Sequence, residues 1–65
     1  MIFVNGEERP LMQSVTLAGI LEELGYETTR VAVERNQEII PRSQYDTVMV
    51  NDGDHLEVVR FVGGG

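Results

Sequence analysis

Only one segment of this chain carries a helical period, and that limits what the rest can build. Along Val15-Thr16-Leu17-Ala18-Gly19-Ile20-Leu21-Glu22-Glu23-Leu24-Gly25, the residues Leu17, Ile20, Leu21 and Leu24 fall at i, i+3, i+4 and i+7, which is one apolar face. Thr16 suits the N-cap, with Val15 before it and Ile20 after it as a hydrophobic staple. Gly25 suits the left-handed residue that closes a helix. Gly19 lies inside the helix at a cost of up to about 1 kcal/mol relative to alanine. It is either simply tolerated or makes room for a strand to approach.

The remaining apolar residues come in short β-prone runs. Residues 2–4 form one, and Asn5-Gly6 after them is the commonest dipeptide of a tight hairpin turn. A second strand is expected from Glu8 to Met12, at an edge or a bulge because Pro10 has no N–H for a ladder. Val31 to Arg35 is a third, turned at Asn36-Gln37, and Ile39-Ile40 is a short strand stopped by Pro41. Ser43 to Asp46 reads as an irregular turn that sets Tyr45 onto the core, and Val48 to Val50 as another short strand. Asn51-Asp52-Gly53-Asp54 is a turn, and His55 to Val62 is the last strand. A single helix covers one face of a sheet and leaves the other bare. The expected fold is therefore two-layer α+β, a mixed sheet of four to five strands packed on one main helix. With the first and last strands paired centrally, that is a ubiquitin-like β-grasp.

At 65 residues there is room for one domain, which buries only about 60% of the surface its unfolded chain exposes. Apolar residues make up 42% of the chain, enough for one compact core, and there is no cysteine to add a disulfide. The apolar runs fall far short of the roughly 20 residues that span a bilayer, and no basic n-region precedes them. No membrane contact is expected, and the default location is cytoplasmic. A net charge of −6 disfavours nucleic acid as a partner. All five basic residues are arginines.

This inventory does not suggest an enzyme. His55 is the single histidine and reads as a solvated residue rather than a base. Ser14 and Ser43 have no histidine nearby in sequence, and Glu7-Glu8 and Glu22-Glu23 read as solvated faces. No glycine-rich loop joins a strand to a helix, so nothing signals a nucleotide site. No metal site and no bound cofactor are expected.

The chain ends Gly63-Gly64-Gly65. With glycine at about 7% of residues, three at one place arise by chance roughly 3 times in 10,000. A frayed end without a role is the bland alternative. The functional alternative divides the chain into a β-grasp domain over 1–62 and a flexible tail over 63–65. Glycines lack Cβ, fit a narrow channel and reach backbone angles closed to other residues. Extended, Val62 to Gly65 span at most about 13–14 Å, enough to enter a neighbouring active site. Alternation along the last strand puts Leu56 and Val58 towards the core and Glu57, Val59 and Phe61 on the bare face. Val59, Phe61 and Val62 are thus candidate docking residues beside the tail.

Several stretches resemble the ThiS family of sulfur carriers of thiamine thiazole biosynthesis. They are Asn5-Gly6, Leu21-Glu22-Glu23-Leu24, Val33-Glu34-Arg35-Asn36-Gln37-Glu38-Ile39-Ile40-Pro41-Arg42, Asp52-Gly53-Asp54 and Phe61-Val62-Gly63-Gly64-Gly65. The resemblance implies a protein that is monomeric when free and works as a co-substrate. An adenylating partner enzyme would use ATP to activate the Gly65 carboxylate. A sulfur-donating persulfide protein would convert it to a thiocarboxylate, which donates sulfur to thiazole synthase. Gly63 and Gly64 would enter the partners' active sites. Two related readings remain open: the small subunit of a molybdopterin synthase, and a protein modifier. The absence of lysine bars a modifier from building chains on itself.

Overall fold

A computed structural model of the chain describes residues 1–11 and 15–61. Strand β1 (Ile2–Val4) turns into β2 (Glu7–Arg9), with Val4 opposite Glu7. The two residues between them, Asn5 and Gly6, have φ of 51° and 83°. These are the left-handed angles of a type I′ turn, whose twist matches that of the flanking strands. Strand β2 lies at the sheet edge and stops at Arg9 rather than at the expected Met12, because Pro10 cannot donate to the ladder. Met12 itself lies outside the described residues.

Val15 and Thr16 were expected to open the helix but form strand β3 (Val15–Thr16). They pair antiparallel with β6 (Met49–Val50), Val15 opposite Val50, as a separate two-stranded sheet. Helix α1 (Leu17–Glu23) follows at once. Thr16 is extended, and its Oγ1 accepts a hydrogen bond from the Gly19 N–H at 3.1 Å, the expected N-cap. A Cβ on Gly19 would lie 3.3 Å from that same oxygen, so what approaches Gly19 is the cap and not a strand. At the far end Gly25 has φ of 90°; its N–H donates to the Glu22 carbonyl at 3.0 Å and that of Tyr26 to Leu21 at 2.9 Å. This is a Schellman cap.

A 3₁₀ turn, Thr28–Arg30, leads into β4 (Val31–Arg35), which turns at Asn36-Gln37 into β5 (Glu38–Ile40). A second 3₁₀ turn, Arg42–Gln44, delivers Tyr45 into the core, where its hydroxyl donates to the Val31 carbonyl at 3.2 Å. Strand β7 (His55–Arg60) completes a five-stranded sheet of order β2-β1-β7-β4-β5. It runs parallel to β1 and antiparallel to β4. Among the described residues its pairing ends where Arg60 meets Val31, the first residue of β4; Val62, expected as its last residue, lies outside them.

Ile2 and Val4, Val31 and Val33, and Leu56 and Val58 bury one sheet face against Leu17, Ile20 and Leu21 of the helix, and Tyr45 and Val50 close the core. The architecture is the expected β-grasp: one helix across one face of a mixed sheet. No helix among the described residues is long and apolar enough to cross a membrane.

Candidate functional site: the last strand and the bare sheet face

Strand β7 carries the chain towards its terminal glycines and is held along its whole length. Its entry is fixed by Asp54, a buried carboxylate. Asp54 accepts hydrogen bonds from Arg35 Nε at 2.8 Å, the Asn51 N–H at 2.8 Å and Asn36 Nδ2 at 3.1 Å. Burial pushes this carboxyl up; the bonds from Asn51, Arg35 and Asn36 and the charge of Arg35 outweigh it and hold it below its usual value. Asn36 also bonds the main chain of His55 twice, its N–H to the carbonyl at 2.8 Å and its Oδ1 to the N–H at 2.9 Å.

In mid-strand the pairing partner changes. Strand β1 ends at Val4, and the side-chain amide of Asn5 takes over as a substitute peptide group for Val58, at 2.7 and 3.2 Å. At the exit the Phe61 N–H donates to the Arg30 carbonyl at 2.9 Å, and the Arg60 guanidinium lies 5.1 Å from the centre of the Tyr26 ring. The tail therefore starts from a fixed point beside the 3₁₀ turn.

Of the expected docking residues, Val59 and Phe61 are 59% and 56% exposed. Val62 and the tail Gly63, Gly64 and Gly65 lie outside the described residues. Val59 stands opposite Ala32 on the face that the helix leaves bare. The same face carries groups that sequence reasoning did not single out. Glu57 stands opposite Glu34, and Glu34 opposite Ile39, which is 76% exposed. Strand alternation in the sequence would have placed each residue on this face; only the register sets the two carboxylates side by side. His55 begins β7, as expected, and its ring stacks on Phe3 with centroids 4.4 Å apart.

Within the strand ladders no arginine falls on this face. Register puts Arg9 with Ile2, Arg35 with Leu56 and Arg60 with Val31 on the covered side, while Arg30 and Arg42 lie in the 3₁₀ turns.

Comparison with known proteins places this geometry in context. The family model described as ThiS family matches residues 2–65. Over 64 residues the chain is 55% identical to a thiazole synthase of Paramagnetospirillum magneticum, covering 98% of this chain and 20% of that protein. It thus spans about a fifth of that relative's length. It is 42% identical to the sulfur carrier protein ThiS of Thermus thermophilus over the whole of both chains. The crystal structure of the thiamine biosynthesis protein ThiS from Geobacter metallireducens superposes with a TM-score of 0.83 at 33% identity, over 98% of this chain and 97% of that one.

Proposed function

The chain belongs to the ThiS family, and from that premise we propose that it is a sulfur carrier of thiamine biosynthesis whose working group is the carboxylate of Gly65. A carboxylate does not exchange oxygen for sulfur unaided, because oxide is a very poor leaving group. Attack of a Gly65 carboxylate oxygen on the α-phosphate of ATP releases pyrophosphate and gives an acyl-adenylate. The terminal sulfur of a persulfide then attacks the acyl carbon and AMP departs. A thiol cleaves the remaining S–S bond, and the C-terminal thiocarboxylate is left to deliver sulfur to thiazole synthase.

The chain's own part is presentation. The observation that carries the reading is the anchoring of β7, from Asp54 at its start to the Phe61–Arg30 bond at its exit, directly before the glycines. A rigid strand ending in residues without Cβ can be threaded into a partner's active site while the domain stays folded. Ordering such a tail costs entropy, which favours moderate and reversible affinity. The acceptor role of thiazole synthase is supported by the Paramagnetospirillum relative, a protein of that name of which a stretch like this chain is part.

The test is intact-mass spectrometry after incubation with the activating enzyme, ATP and a persulfide donor. The expected product is heavier by one sulfur less one oxygen, and the variant lacking Gly65 gives none. An unchanged mass, under conditions that convert the Thermus thermophilus carrier, would overturn the proposal.

A further inference from the structure

The first hairpin turns on Asn5 and Gly6, and the fold makes two separate demands on Asn5. Its φ of 51° is left-handed, a region that favours glycine, asparagine and aspartate. Its side chain must also accept from the Val58 N–H at 2.7 Å and donate to the Val58 carbonyl at 3.2 Å. Glycine has no side chain for this, and an ionised aspartate has no donor. Asparagine meets both demands. At position 6 a φ of 83° calls for glycine. The two requirements together select the residue pair in which a main-chain nitrogen most readily attacks the preceding side-chain amide, because no Cβ on Gly6 stands in the way. A Cβ built there would meet nothing within 4 Å, so water has access to this peptide. In the closed fold Asn5 is pinned to β7 at three points, the two bonds to Val58 and its own N–H to the Leu56 carbonyl at 2.8 Å. Ring closure needs the side chain folded back over the peptide that follows it, which the bonds to Val58 prevent.

We propose that Asn5 is a site of spontaneous deamidation, guarded by its bonds to Val58, and that the modification, once made, keeps the β1–β7 seam from closing as before. The Gly6 nitrogen attacks the side-chain carbonyl carbon of Asn5. A C–N bond forms there, the bond to Nδ2 breaks, and Nδ2 leaves as ammonia with the proton of the Gly6 N–H. Water then opens the five-membered succinimide at either carbonyl, giving aspartate or isoaspartate. Nothing is oxidised or reduced. The reaction proceeds from molecules in which the seam has opened locally, so its rate follows that opening. Aspartate at position 5 still accepts from the Val58 N–H but sets a carboxylate against the Val58 carbonyl. Isoaspartate runs the main chain through the former side chain, adding a methylene to a two-residue turn that must bring Val4 opposite Glu7. Either product weakens the hold on β7 in mid-strand.

The test is incubation of the whole chain in mildly alkaline buffer, folded and in concentrated urea, followed by peptide mapping with mass spectrometry and by labelling with an isoaspartyl methyltransferase. Asn36, followed by Gln37, and Asn51, followed by Asp52, are internal controls with a side chain after each. The amide-to-acid mass change is expected at Asn5 well before either control, and at least about tenfold more slowly in the folded protein than in urea. Low urea, short of global unfolding, should raise the folded-state rate in step with amide exchange at Val58. No change at Asn5 in urea would overturn the proposal, and equal rates in folded and unfolded protein would overturn the guard. The deamidated chain carries one more negative charge and separates by anion exchange. It should melt several degrees below the parent, and so should Asn5→Asp, which supplies the aspartate product without isoaspartate. Unchanged melting of both would show that the modification leaves the seam intact.

Discussion

The side-chain amide of Asn5 is bonded to both main-chain polar atoms of Val58, its Oδ1 accepting from the N–H at 2.7 Å and its Nδ2 donating to the carbonyl at 3.2 Å. One residue thus turns the first hairpin and continues its ladder. The φ of 51° that the turn requires swings the side chain out of β1 and against β7. Asn5→Ala removes both bonds and leaves a left-handed residue without its usual tolerance. A loss of about 1–3 kcal/mol is expected in chemical denaturation. Faster amide exchange at Val58 should accompany it, and unchanged exchange there would show that the bonds contribute nothing.

Acid should loosen the other end of β7. The Asp54 carboxyl is held below its usual value of 3.8. A depressed folded-state value means that the unfolded chain binds the proton first as pH falls. The stabilisation is therefore complete above the usual value and drains away below it, as pH falls towards and through the folded-state value. As pH falls below about 4, wild type should lose stability more steeply than Asp54→Asn. Parallel curves for the two proteins would remove Asp54 from the acid transition. At neutral pH Asp54→Ala should cost about 1–3 kcal/mol, since it leaves part-buried donors of Arg35, Asn36 and Asn51 unpaired.

Thr16 is worth a cap. Thr16→Ala should destabilise by about 1 kcal/mol, whereas Thr16→Ser, which keeps the oxygen facing the Gly19 N–H, should cost much less. Equal losses in the two variants would mean that Thr16 acts through packing.

Phe61 follows β7 and is 56% exposed, so Phe61→Ala should cost well under the 3–5 kcal/mol of a buried phenylalanine. Affinity for the activating enzyme should fall at least tenfold, about 1.4 kcal/mol. A large loss of stability with unchanged affinity would place the ring in the core and move docking elsewhere.

Deleting Gly65 should leave the melting temperature within about a degree of wild type, because no core residue among those described lies beyond Val58. A fall of several degrees would give the last glycine a structural role.

The sequence alone determined the parts of this protein governed by local chemistry. The Asn5-Gly6 turn, the Thr16 and Gly25 caps and the apolar face of Leu17, Ile20, Leu21 and Leu24 each depend on residues within a few positions of one another. The alternation of β7 foretold that Leu56 and Val58 would be buried and Val59 exposed. One helix was enough to imply a bare sheet face. Tertiary structure decided whatever needed partners distant in sequence. Val15 has the composition of a helix start, but the strand pairing offered by Val50, far along the chain, claims it. Asp54 looked like one polar residue of a turn until the β4–β5 hairpin brought Arg35 and Asn36 to it. Glu34 was legible only as part of the third strand and Glu57 as an outward residue of the last. Their opposition is a matter of register, which the chain settles only when the inward valines Val33 and Val58 pack together and carry the outward residues with them.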